Sequence, residues 1–122
     1  MRAWITAVAL MTFFVSNASK AEDTQSAGYM LPRCKAVLDD YVMRNNDSSK
    51  IVESLIAQAD CMGKLMGIAY YGKSNNICLP SNVNNKQISA VIVKHIETYP
   101  FTWNLNFFLV AEVALHDVWP CK

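Results

Sequence analysis

This 122-residue sequence is poor in the residues and motifs on which most enzyme sites depend. It holds two histidines and four glycines, and none of its four cysteines forms a Cys-x-x-Cys pair. No serine lies in a Gly-x-Ser-x-Gly turn, and no glycine-rich phosphate loop is present. These absences leave no recognisable nucleophile, phosphate site or thiol redox motif.

The two histidines do not supply a catalytic or metal site. His116 and Asp117 are adjacent, and neighbouring side chains on a helix do not face each other. His95 belongs to the apolar stripe of a predicted helix, where a hydrogen-bonded core histidine is the simpler interpretation. Two histidines without carboxylates at ligand spacing make a poor metal site. We therefore predict a protein that is not an enzyme, has no catalytic residues, and uses no metal or cofactor.

Strong charge of either sign is missing as well. The chain has 11 basic and 10 acidic residues, which gives a net charge of +1. This balance argues against nucleic acid or an anionic membrane surface as the partner.

The apolar stretch at the N-terminus is too short for a membrane span. Arg2 precedes the mainly apolar residues 3–15, and small residues follow at the positions that a signal peptidase recognises. A transmembrane helix needs about 20 apolar residues. We expect residues 1–21 to be a cleaved secretory signal, with an uncleaved N-terminal anchor as the alternative.

Four cysteines in a small exported chain predict two disulfides. A zinc site is the competing interpretation, but the absence of a Cys-x-x-Cys pair and an oxidising compartment both argue against it. The disulfides are therefore expected to be structural.

Apolar residues recur at helical spacing through most of the remaining chain. Residues 22–29 are polar and expected to be disordered, and residues 30–122 are expected to form one domain. The predicted helices cover residues 31–43, 50–71, 84–99 and 105–118. The fold class is all-α, a small compact four-helix bundle with two disulfides after the signal peptide. Frequent Val and Ile leave a strand as the alternative for the third segment.

Local signals mark the helix ends. Residues 47–49 offer N-caps for the second helix, and Gly72 follows its last apolar residue. Asn84 and Gln87 have the spacing of a capping box at the start of the third helix, which Pro100 terminates.

Each predicted helix has an apolar stripe that is expected to face the core. In the second helix it comprises Ile51, Val52, Leu55, Ile56, Ala59, Met62, Met66 and Ala69. In the third it comprises Ile88, Val91, Ile92, His95, Ile96 and Tyr99, and in the fourth Phe108, Ala111, Leu115 and Val118. Gly63 and Gly67 share one face and are interpreted as close-packing positions, with a dimer face as the alternative.

The helical hairpins predict which cysteines pair. Cys34 and Cys61 lie at similar distances from the first interhelical turn, and Cys78 and Cys121 lie at the open end of the second hairpin. Antiparallel packing would place the members of each pair side by side. The expected disulfides are Cys34–Cys61 and Cys78–Cys121.

Several short motifs occur together in an order that points to a known family. They are Cys61-x-Gly63, Gly67, Tyr70, Cys78-Leu79-Pro80, Gln87, Tyr99-Pro100 and Trp119-Pro120-Cys121. Over residues 30 to 121 this series resembles the Rap/Tai immunity proteins of type VI secretion systems. Ser81 and Asn82 depart from the family pattern, in which an acidic residue and glycine commonly follow Cys-Leu-Pro.

The resemblance implies a function based on binding. It implies a compact periplasmic helical protein, often a homodimer, that binds an incoming peptidoglycan amidase effector and blocks its active-site cleft. The identity of the amidase does not follow from the resemblance. A small periplasmic stress chaperone is the alternative function, and a structural component of the envelope is a third.

Two connections are candidate partner-binding sites. The first is the turn formed by Tyr99, Pro100, Phe101, Thr102, Trp103 and Asn104. Surface aromatic residues dominate binding hot spots, although Phe101 and Trp103 could instead fold back onto the fourth helix. The second is the polar loop of Lys73, Ser74, Asn75 and Asn76, for which a solvated connection is the alternative.

Overall fold

The computed structural model describes residues 23–39 and 46–122, and within these ranges every regular element is helical. The elements are α1 (Ala27–Leu38), α2 (Ser48–Tyr71), α3 (Asn85–Thr98) and α4 (Phe107–Val118), with 3₁₀ turns at Gly72–Asn75 and Pro100–Asn104. The predicted all-α fold with four helices and two disulfides is confirmed. The predicted signal, residues 1–21, and positions 40–43 of the first predicted helix lie outside the described residues. No helix in the described ranges has the length and apolarity that crossing a bilayer requires.

The predicted signals at the helix ends are confirmed where the structure describes them. Asp47 caps α2, and Asn84 forms a reciprocal capping box with Gln87 at the start of α3. Tyr99 is the C-cap of α3, directly before Pro100. These caps satisfy backbone groups that would otherwise lack partners at the helix ends.

The segment before α1 is folded, so the prediction that residues 22–29 are disordered is wrong from Gln25 onward. The Ala27 N–H donates to the Leu105 carbonyl over 2.9 Å, and the Phe107 N–H donates to the Gln25 carbonyl over 2.7 Å. These backbone bonds join the start of α1 to the start of α4. The segment before α1 is therefore joined to the start of α4 by backbone hydrogen bonds, and Ser26 caps the first turn of α1.

Both predicted disulfides are present. Cys34–Cys61 joins α1 to α2 with the Cα atoms 5.2 Å apart, and both residues are fully buried. Cys78–Cys121 joins the loop after α2 to the C-terminus with the Cα atoms 4.9 Å apart. The Cys78 N–H also donates to the Trp119 carbonyl over 2.8 Å, so the C-terminus is held by backbone and covalent bonds.

Helix α1 lies between α2 and α3 and packs on both, while α4 packs mainly on α3. Side chains of all four helices form one buried core that includes Met30, Leu65, Ile92, Phe107 and Leu115. Buried Ser89 donates its hydroxyl proton to the Cys34 carbonyl over 2.8 Å, which satisfies a polar group inside this core.

The predicted inward face of α2 is largely wrong. Cys61, Leu65 and Ile68 are the buried side chains of this helix, whereas Val52, Leu55, Ile56, Ala59, Met66 and Ala69 are exposed. Helix α2 is apolar around much of its circumference, so periodicity alone does not identify the face that packs. The disulfide to α1 fixes the rotation of the helix.

The two glycines of α2 do not pack within the subunit, contrary to the prediction. A Cβ atom added at Gly63 or Gly67 would meet no other atom within 4 Å. Both positions belong to the outward side of the helix.

The stripe of α3 is mostly as predicted. Ile88, Ile92 and Ile96 are buried, Val91 and His95 are partly buried, and Tyr99 is exposed.

In α4 the predicted stripe is partly wrong. Ala111 and Leu115 are buried, Phe108 is partly buried, and Val118 is half exposed. Phe107, Val110 and Ala114 supply the remaining buried side chains of this helix.

Candidate partner-binding site

The turn between α3 and α4 has a defined structure. Thr102 is buried, and its hydroxyl donates to the Tyr99 carbonyl over 2.7 Å. The indole N–H of Trp103 donates to the Ile96 carbonyl over 3.1 Å. These bonds tie the turn to the end of α3, so its exposed side chains project from a fixed backbone.

Phe101 and Trp103 differ in their surroundings. Trp103 packs back onto α1, where a Cβ atom at Gly28 would lie 3.1 Å from the Trp103 carbonyl oxygen. Phe101 is 75% exposed, and its ring centroid is 5.9 Å from that of Tyr99. The fold-back alternative named the fourth helix, whereas these contacts of Trp103 are with α1 and α3. Trp103 is 45% exposed, so Phe101 is the more exposed of the two aromatic side chains.

The other predicted residues of the turn are at the surface. Tyr99, Pro100 and Asn104 are exposed, and Tyr99 also contacts the His95 ring, with the centroids 4.9 Å apart. Tyr99 therefore contacts two neighbouring rings, those of His95 and Phe101.

A groove of about 300 Å³ lies beside Phe101, between the end of α3 and the outer face of α4. Its apolar wall includes Leu105, Leu109 and Val113, all of which are about half exposed or more. His95, Thr102 and Asp117 are among the polar residues that line it. We refer to Phe101 and this groove together as the turn site.

The turn site has the chemical character of a binding surface. Apolar walls with a few polar groups suit the docking of an apolar side chain, whose orientation the polar groups can fix. Sequence reasoning missed the contribution of α4. The available signal was the spacing of Leu105, Leu109 and Val113, which lie four residues apart and form a second apolar stripe.

The second candidate, the loop at residues 73–76, is exposed but bonded to its surroundings. The Ser74 hydroxyl donates to the Tyr71 carbonyl over 2.6 Å, and the Asn75 amide donates to Glu112 over 2.8 Å. Asn76 adopts the left-handed conformation with φ of 60°, which asparagine tolerates well. Hydrogen bonds therefore hold the loop against α4, and Lys73 is exposed on it.

The structure also shows where the one adjacent histidine–aspartate pair lies. His116 and Asp117 are both exposed, and Asp117 contributes to the groove as a single carboxylate. No group of three or more potential metal-ligating side chains occurs among the residues that the structure describes.

The fold and the turn site together define a small, disulfide-bonded helical protein with an exposed apolar groove. The model of the Rap1a immunity protein family matches residues 16–121, and the chain belongs to that family. The resemblance in the sequence is thereby confirmed. No curated protein sequence and no solved structure matches the chain.

Family membership gives the general function. Immunity proteins bind a cognate toxin effector, and such families are generally not enzymes.

Proposed function

We propose that this protein is a periplasmic inhibitor of a peptidoglycan amidase delivered by a type VI secretion system, and that the turn site enters the active-site cleft of the amidase. Membership of an immunity family supports toxin binding. The observation that supports this site is Phe101, a largely exposed phenylalanine on a turn whose backbone is fixed by its own hydrogen bonds.

A fixed turn is well suited to entering a cleft. Ordering a flexible loop on binding would cost conformational entropy, which reduces affinity. Here Thr102 and Trp103 already hold the turn in one conformation. The free energy from burying Phe101 is then available for binding.

The groove beside Phe101 extends the proposed contact. A side chain from the rim of the cleft would fill the space against Leu109 and Val113, while Phe101 enters the cleft itself. Inhibition of this kind needs no chemistry from the inhibitor, because occupying the cleft excludes the peptidoglycan substrate.

Phe101→Ala tests the site directly. We expect the variant to weaken binding to the cognate amidase by about 30-fold, the change that corresponds to a hot-spot loss of about 2 kcal/mol. Tyr71→Ala is the matched control, since Tyr71 is an exposed aromatic residue on α2, outside the turn site. Calorimetric titration of the product of an adjacent amidase gene would measure both, and equal affinities would overturn the proposed site.

Export can be tested separately. We propose cleavage after Ala18 or Ala21, which would release the domain into the periplasm. The mass of the protein recovered from the periplasm should then correspond to a chain starting at residue 19 or 22. Recovery of the uncut chain in the membrane fraction would instead support the anchor.

A periplasmic chaperone is the second candidate, and the exposed apolar side chains of α2 and α4 are the observation that favours it. A chaperone would suppress aggregation of several unrelated unfolded proteins, whereas an immunity protein would bind one folded amidase. The two disulfides limit the unfolding by which an acid-triggered chaperone would expose more surface.

A further inference from the structure

The groove of the turn site ends in a carboxylate. Along α4 its lining residues include Leu109, Val113 and Asp117, which lie four residues apart and therefore on one face of the helix. This row runs away from the turn, so Phe101 lies at one end of the groove and Asp117 at the other. Two apolar side chains of α4 thus separate the exposed phenylalanine from an acidic group.

Asp117 has no partner of opposite charge within the described chain. No hydrogen bond or ion pair joins its side chain to another residue in the part of the chain that the structure describes. Of the described residues that line the groove, it is the one carboxylate, and none of them is a lysine or arginine. The far end of the groove is therefore negative, while its walls are apolar.

This charge decides which side chain the groove can take. Covering the groove removes water from Asp117, and a carboxylate that loses its water without gaining a partner raises the free energy of the complex. An apolar side chain would impose that cost, and an acidic one would add repulsion. A basic side chain instead supplies the missing charge, and hydrogen bonds between charged groups are stronger than those between neutral ones.

The walls fit the remainder of such a side chain. Lysine and arginine pack their methylene stems along apolar surface while the charged head reaches a polar environment. The four residues from Val113 to Asp117 correspond to about 6 Å along the helix, a distance that an extended lysine or arginine side chain spans. Val113 is 53% exposed and Leu109 is 63% exposed, so the stem would bury apolar surface on both.

We propose, as a step that rests on the proposed function, that the groove binds a basic side chain of the amidase. This lysine or arginine would lie with its stem against Val113 and its charged head at Asp117, while Phe101 occupies the cleft. A toxin surface that fits the turn site must then present a basic residue on the rim of its cleft.

Asp117→Asn tests the charge. Asparagine has nearly the same shape, and Asp117 is exposed, so the subunit should fold normally. Affinity for the product of the adjacent amidase gene should fall about 10-fold, the lower end for losing a hydrogen bond to a charged group. Glu53→Gln is the matched control, since it removes an equal charge from an exposed position on α2 that does not line the groove. The control should bind as tightly as the wild type.

Binding kinetics distinguish direct contact from long-range attraction. A carboxylate that only attracts the toxin from a distance changes the association rate, whereas one that contacts it changes the dissociation rate. Surface plasmon resonance should therefore show Asp117→Asn dissociating about 10-fold faster, with a nearly unchanged association rate. A loss confined to the association rate would overturn the contact.

Val113→Ala tests whether the apolar wall and the charge act on the same side chain. Both substitutions would release one basic residue, so the double variant should lose less affinity than the product of the two single losses. On the amidase, replacing lysines and arginines by alanine one at a time should find one whose loss weakens binding to the wild type and not to Asp117→Asn. Fully independent losses, or no such basic residue, would overturn the shared occupant.

The same titrations separate this proposal from the one on which it rests. A wild-type protein that does not bind the amidase would overturn the proposed function and the assignment of the groove together. Binding that Phe101→Ala weakens and Asp117→Asn leaves unchanged would overturn the assignment of the groove alone.

Discussion

At the scale of single residues, glycines in two helices have opposite surroundings. Gly28 lies in the first turn of α1 against the backbone of Trp103, whereas Gly67 on α2 has open space where a Cβ would lie. The close approach at Gly28 lets the turn site sit on the start of α1. The absence of a side chain therefore allows close packing at Gly28, whereas at Gly67 it leaves the neighbouring space open.

Gly28→Ala is expected to destabilise the protein. Its Cβ would lie 3.1 Å from the Trp103 carbonyl oxygen, and the hydrogen bonds of the turn prevent that backbone from moving away. We expect a net loss of about 1 kcal/mol, since overpacking costs about 1–3 kcal/mol and part of this is offset by the helix propensity of alanine. Gly67→Ala, where space is open, should stabilise the protein by up to about 1 kcal/mol. Urea denaturation at one protein concentration would compare them, and equal midpoints would contradict the proposed contact.

Asp47 makes the start of α2 sensitive to pH. The Ser49 hydroxyl donates to the Asp47 carboxylate over 2.7 Å, and this bond, aided by backbone N–H donors, holds the pKa of Asp47 below its ordinary value of 3.8. Because its pKa is lower in the folded state, the Asp47 carboxylate stabilises the fold at pH values above the ordinary aspartate pKa. This contribution is lost as the pH falls through the folded-state pKa.

Two substitutions of Asp47 separate the contribution of its charge from that of its capping oxygen. Asp47→Ala should lower the melting temperature at neutral pH, and the deficit should shrink as the pH falls below the ordinary aspartate pKa. Asp47→Asn keeps a capping oxygen but does not titrate in this range. The melting temperature of this variant should therefore fall less steeply in acid than that of the wild type. Thermal melts across this pH range would measure both. A deficit for Asp47→Ala that stayed constant into acid would show that the charge is not involved.

At the scale of helices, the sequence predicted where elements start and stop better than it predicted which way they face. The Asn84 and Gln87 capping box and the stop at Pro100 depend on neighbouring residues alone, and both are present. The rotation of α2 depends on α1, through a disulfide that joins residues 27 positions apart. Because α2 is apolar on both sides, the sequence predicts the wrong stripe to be buried, and most of that stripe is exposed.

The turn site likewise depends on contacts between residues that are distant in the sequence. Aromatic residues at 99–104 marked the turn in the sequence, but nothing local separates Phe101 from Trp103. Trp103 differs from Phe101 through contacts with residues distant in the sequence, because its backbone lies against Gly28 of α1 and its indole N–H donates to the Ile96 carbonyl. The groove depends on α3 and α4 together and was therefore not predicted.

The two disulfides should contribute differently to stability. Loop-closure entropy alone predicts about 3–4 kcal/mol for each, slightly more for Cys78–Cys121 because its loop is longer. Cys34 and Cys61 are fully buried, however, so replacing both by alanine also removes core packing. We expect the Cys34→Ala, Cys61→Ala pair to be the less stable double variant in urea denaturation. The opposite order would indicate that chain entropy alone determines the difference.

At the scale of the whole molecule, the protein presents two apolar surfaces on different elements. The turn site is formed by α3, α4 and the turn between them, whereas Val52, Ile56 and Met66 are exposed on the outward side of α2. The turn site is the surface that is proposed to bind the toxin.

The outward side of α2 is expected to lie outside the contact with the amidase. Ile56→Glu changes a side chain that is 65% exposed on that side, so it should leave the affinity for the amidase nearly unchanged in calorimetric titration. A marked loss of affinity would show that the outward side of α2 contributes to toxin binding.

Inhibition of a peptidoglycan amidase is tested most directly by titrating this protein into a peptidoglycan hydrolysis assay of the amidase encoded beside its gene. Hydrolysis should fall in proportion to the oxidised protein added and stop at one subunit per amidase. Full hydrolysis in the presence of excess folded, oxidised protein would rule out inhibition.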